Sequence, residues 1–93
     1  MPLTHYELRF FREGREVHSL PPVLAQLDLS DVAASRDLLT RHLLGAVERS
    51  GARQQERHLF HLEAYATDDG RAYGRPVLRF TLPIDPQAVN QWL

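Results

Sequence analysis

Two histidines and a glutamate fall within six residues of the stretch ERHLFHLEAYATDDGRAYGRPVLRF, as His58, His61 and Glu63. Imidazole and carboxylate together suggest zinc or iron ligation, or acid–base work. Spacing restricts what they can do. In a strand His58 and His61 leave on opposite faces, whereas His61 and Glu63 share one. If the first strand lies alongside, His5 and Glu7 join that face, giving two imidazoles and two carboxylates, a ligand set acceptable to zinc or iron. The same four residues alternate with apolar ones and accompany Arg9 and Arg79, the pattern of a solvated sheet face crossed by ion pairs. No H-E-x-x-H spacing is present, so the face is read as the wet side of a sheet and no metal ligand is assigned. Ser19, Ser30, Ser35 and Ser50 sit in no G-x-S-x-G elbow, and a chain this small offers little closed cleft in which to perturb Glu7 or Glu63. No catalytic residue, cofactor site or metal site is therefore expected, and the protein is read as a non-enzyme.

Composition narrows the chemistry further. All 11 basic residues are Arg, and the chain has no Cys. Schiff-base lysines, thiolate nucleophiles, disulfides and cysteine metal sites are thereby excluded. The 11 cations nearly balance 12 anions, for a net charge of -1, which argues against nucleic acid as a general partner. No apolar run reaches the roughly 20 residues of a membrane span, and the sequence MPLTHYELRF has no secretory signal pattern. The expectation is a cytoplasmic protein with no membrane association.

Other residues point outward, to partners. Arg71, Tyr73 and Arg75, in the segment DDGRAYGRP, place two planar cations around an aromatic ring, which suits base stacking or anchoring in a protein. Neighbouring Asp68 and Asp69 weaken a phosphate-binding reading. Leu38 projects from the polar side of the helical wheel, and Val89, Trp92 and Leu93 place large apolar groups near the last residue of the sequence. These seven residues form the expected interaction set.

The elements that must position them follow from periodicity. Tyr6, Leu8 and Phe10 alternate with Glu7 and Arg9, Glu13-Gly14 makes a turn, and REVHSL returns. Two rules conflict at that turn. A two-residue loop sets Val17 opposite Phe10 but asks Glu13 for a positive φ, whereas a three-residue loop relieves Glu13 and moves Val17 to the other face. Pro21-Pro22 ends the strand, and PPVLAQLDL is expected to be an irregular connection with at most a helical turn. A long helix runs from Ser30 or Asp31 to Ser50, capped from among Asp28, Ser30 and Asp31 and stopped by Gly51. Its apolar stripe is Val32, Leu39, Leu43, Ala46 and Val47.

A second hairpin alternates Phe60, Leu62, Ala64 and Ala66 on one strand with Leu78, Phe80, Leu82 and Ile84 on the other. Its tip is expected to be long, opened by Asp68-Asp69-Gly70 and closed by Gly74-Arg75-Pro76. Asp85 and Pro86 then start a short C-terminal helix. The 93 residues thus predict one α+β domain: hairpin, long helix, hairpin, short helix, with the helix on one face of a four-stranded, mainly antiparallel sheet. A β-grasp, with parallel first and last strands, has the same element order.

In these elements the chain resembles small uncharacterised bacterial hairpin–helix–hairpin domains. The matching positions are Asp28 and Leu29 at the helix start, Asp68 or Asp69 with Gly70 at the turn, and Leu82-Pro83 at the strand end. Ala72-Tyr73-Gly74-Arg75 and the C-terminal helix depart from that pattern. The element order is also similar to that of HicB-type antitoxins. The resemblance implies a fold and no catalytic role. The function expected is a non-catalytic protein–protein interaction domain, an inhibitor or antitoxin-like protein that masks a partner and has a second copy as another candidate partner. The alternatives are a single-stranded RNA module using Arg71, Tyr73 and Arg75, and a metal-dependent hydrolase using His5, Glu7, His61 and Glu63.

Overall fold

Strand β1 (Thr4–Arg12) buries Leu8 and Phe10 on one face and half-buries Tyr6, as the alternation requires. The computed structural model that shows this describes residues 4–82. The expected C-terminal helix, with Val89, Trp92 and Leu93, lies outside the described residues.

The turn after β1 takes the two-residue form. Arg12 pairs with Arg15 and Phe11 with Glu16, so β2 (Arg15–Glu16) follows directly, and the Val17 amide donates to the Phe10 carbonyl at 2.9 Å. Glu13 accepts the left-handed conformation, with φ 51°, beside Gly14 at 82°. A turn of this hand matches the twist of the flanking strands, and that geometry prevails over the steric preference of Glu13. The Glu13 amide also gains a bond to the Leu59 carbonyl at 2.9 Å.

PPVLAQLDL is a strand where an irregular connection was expected. β3 (Val23–Leu27) pairs antiparallel with the first half of β1, from Thr4↔Leu27 to Leu8↔Val23. Its signal was the alternation of Val23, Ala25 and Leu27, which turn inward while Leu24 and Gln26 are exposed. The prolines stand between β2 and β3, where their missing donors interrupt no pairing.

β4 (Phe60–Asp68) lies on the other side of β1, antiparallel from Tyr6↔Ala66 to Arg12↔Phe60. It turns at Asp69-Gly70, with φ of 51° and 76°, into β5 (Arg71–Ala72). The second tip is therefore as tight as the first, and Gly74-Arg75-Pro76 does not close it. Those residues instead interrupt the returning strand, between the Tyr73 amide bonded to the Ala66 carbonyl (3.1 Å) and the Val77 amide bonded to the Ala64 carbonyl (2.8 Å). Pairing resumes in β6 (Leu78–Thr81), from Ala64↔Leu78 to His61↔Thr81. Each returning strand is thus broken in two, giving six strands where four were expected. Their order is β2 and β3 beside β1, then β4, then β5 and β6, all antiparallel. All three strands paired with β1 among the described residues run against it, which rules out the β-grasp pairing.

Helix α1 (Val32–Arg49) covers one face. Asp31 caps it, accepting from the Ala34 amide at 3.1 Å, and Gly51 leaves it at φ 80°. Leu39, Leu43, Ala46 and Val47 are buried against Leu8, Phe10, Phe60, Leu62 and Ala64. Ser35 shares the buried stripe because its hydroxyl donates to the Asp28 carbonyl at 2.7 Å. Val32, expected on that stripe, is 62% exposed. A 3₁₀ helix (Gln54–Leu59) precedes β4 and takes His58 out of the strand expected to hold it. Glu56 supports its first turn, accepting from the Arg53 amide at 3.0 Å and binding Arg12 at 2.6 Å. No helix among the described residues is long and apolar enough to cross a membrane.

Candidate interaction site

The face of the sheet away from α1 carries the residues that first suggested chemistry. Antiparallel register brings Phe11 opposite His61, Arg9 opposite Glu63 and Glu7 opposite Tyr65, with Thr81 and Arg79 on the far side of His61 and Glu63. His61 and Glu63 share this face, as their parity requires, but His61 is only 4% exposed rather than solvated. Its ring stacks on Phe11, centroids 4.8 Å apart and planes 6° from parallel. Glu63 lies in a row, contacting the His61 imidazole at 3.4 Å and accepting from the Tyr65 hydroxyl at 2.8 Å.

These contacts hold the side chains in self-contained groups. Arg9 binds Glu7 at 2.6 Å and lies over the Tyr65 ring, its guanidinium carbon 4.5 Å from the centroid. The Arg9–Glu7 ion pair and the His61–Glu63 contact both run along a strand, not across strands. His5 contacts Gln26 on β3 at 3.1 Å and does not join Glu7 and Glu63. Among the described residues no three His, Asp or Glu side chains converge as a metal would require. Burial, and secondarily Arg79, lowers the His61 pKa against the smaller opposing pull of Glu63. Burial also raises the Tyr65 phenol, helped by its bond to Glu63.

The expected interaction residues lie apart. Arg71, Tyr73 and Arg75 are all exposed beside the second turn, Tyr73 at 59%. Leu38, expected on the polar side of the helix, is half-buried and packs on the core.

A feature that sequence reasoning missed lies between the start of α1 and β6. Leu29, Val32, Ser35, Arg36 and Leu39 form one wall of an open groove, and Leu78 to Leu82 the other, enclosing about 640 Å³. Leu29 is 38% exposed, and among the described residues no strand lies along the outer edge of β6. Its apolar walls were legible as helix stripe and strand alternation. What could not be read was that Leu29 and Val32 stand exposed across from β6.

The fold and these surfaces define a small α+β protein with one long helix on an antiparallel sheet. Comparison with protein families, curated proteins and solved structures finds no match for this chain.

Proposed function

We propose that this chain is a non-catalytic protein-binding domain, acting by seating a partner segment in the groove between α1 and β6. The supporting observation is the exposure of Leu29 and Val32 beside the outer edge of β6, along which no strand lies among the described residues. Bare apolar side chains offer a partner surface to cover, and a strand edge supplies backbone donors and acceptors in a row. On the outer face, by contrast, Glu7 and Arg9 bond to each other, as do Glu63 and Tyr65. An inhibitor or antitoxin-like role, in which binding masks the partner's own working surface, is the biological form we propose for this interaction.

Affinity capture from the native host with wild type, Val32→Arg and Tyr73→Ala tests the reading. Val32 is exposed in the first turn of α1, so the arginine is expected to spoil the groove without unfolding the domain. A stoichiometric protein retained by wild type and Tyr73→Ala but lost by Val32→Arg is the expected result. Salt-sensitive binding of single-stranded RNA that disappears in Tyr73→Ala would overturn it in favour of an RNA module.

A further inference from the structure

We infer that the segment seated in the groove is an extended peptide whose apolar side chains alternate with carboxylates, added as a strand along the outer edge of β6; this rests on the protein-binding reading above. Three features of the groove select that chemistry. The first is the wall formed by β6 itself. With β4 on its inner side, its outer edge has no strand beside it among the described residues, and such an edge is satisfied by another extended backbone. An α-helix laid there would keep its own donors and leave those of β6 to water.

The second is the side-chain geometry. Leu78 and Phe80 turn toward α1 and are half-buried, whereas Arg79 and Thr81 turn to the outer face and are exposed. An added strand continues the same pleat, so every second side chain enters the apolar space bounded by Leu29, Val32 and Leu39. The intervening side chains emerge on the outer face, on the side where Arg79 stands.

The third is charge. Although the protein has 12 acidic residues, none lines the groove among the described residues, and the only charged residues along it are Arg36 and, with its side chain on the outer face of β6, Arg79. Both are exposed and neither has an ion-pair partner among the described residues. Arg79 reaches carboxylates on the outer face of an added strand, and Arg36 those at the helix side of the groove. The same charges argue against a second copy of the chain. Pairing β6 with its twin about a two-fold axis brings arginine toward arginine with no acid in the groove to offset them.

The test titrates the full chain with two synthetic peptides, one alternating glutamate with valine and leucine, the other with lysine in place of glutamate. Backbone amide resonances follow the titration. The acidic peptide is expected to shift Val32, Leu78, Arg79 and Thr81 and to bind at least about tenfold tighter than the lysine peptide, the gap narrowing with salt. Arg36→Glu is expected to shrink or reverse that preference, and Val32→Arg to abolish binding of both. Equal binding of the two peptides overturns the carboxylate assignment. Light scattering that shows a dimer lost in Val32→Arg makes a second copy the occupant, and binding seen only after removal of residues 83–93 makes it the chain's own segment; either overturns the proposal. If neither peptide binds while the captured partner still depends on Val32, this inference fails and the protein-binding reading stands.

Discussion

A histidine on the outer face of a sheet meets water unless a neighbour covers it, and at His61 that neighbour is Phe11, with the two rings nearly parallel. The odd-numbered residues of β1 and β4 share this face, so the parity of His61 was legible in the sequence. Its burial was not, because it depends on which cross-strand residue comes opposite, and that needs the register. Burial favours the neutral imidazole and lowers its pKa from the ordinary 6.5, with Arg79 adding to the shift and Glu63 opposing it. The folded state then binds fewer protons than the unfolded chain once the pH falls below 6.5. The stabilisation is complete above that pH and is lost progressively toward the lower, folded-state pKa. Urea denaturation at about pH 7.5 and about pH 5.5 is expected to show wild type losing stability on acidification, and His61→Phe, which keeps a ring on Phe11, losing less. Part of the loss persists in the variant because burial, Arg49 and Arg41 lower His42 in the same direction. Identical losses in the two proteins would show that the stacked imidazole does not titrate with folding.

Among the elements, the hairpin turns record a contest between local and cooperative preference. Glu13 and Asp69 both adopt a φ of 51°, each before a glycine that is also left-handed. For an L-residue with a long side chain this costs about 1 kcal/mol, and the strands impose it because a looser loop would shift Val17 from the core side of the sheet to the other. Glu13→Asn creates the residue pair best suited to the turn. Since the Glu13 side chain makes no hydrogen bond or ion pair among the described contacts, the change is expected to raise stability by about 0.5–1 kcal/mol in chemical denaturation. A loss would mean that the register tolerates the wider loop. The strands and helix whose pattern repeats over many residues, β1, β4 and α1, were legible from periodicity and caps. β3 was obscured by the two prolines before it, and the 3₁₀ helix by its continuity with an apolar run. The break between β5 and β6 was hidden because Gly74 and Pro76 suit a hairpin tip as well as an interruption within a strand.

At the scale of the whole molecule, the apolar stripe of α1 divides into a part that builds the core and a part that does not. Leu39, Leu43, Ala46 and Val47 close over β1 and β4, and Leu62 lies beneath them with no exposure, between Phe10 of β1 and Phe80 of β6 in the register. Val32 belongs to the same stripe in sequence but is 62% exposed, over the groove. Truncating Leu62 to alanine leaves a cavity that neighbours packed from both sides cannot readily fill, and is expected to cost about 2–5 kcal/mol. In a domain whose net stability is of order 5–15 kcal/mol, that is enough to lower the midpoint of thermal unfolding by many degrees. Val32→Ala removes methyl groups that already face solvent and is expected to change stability by less than about 0.5 kcal/mol. The two variants therefore separate folding from recognition. If Val32 serves a partner, its truncation leaves the unfolding curve in place and weakens capture, whereas a cost approaching that of Leu62→Ala would make the groove part of the core and remove the basis for reading it as a binding surface.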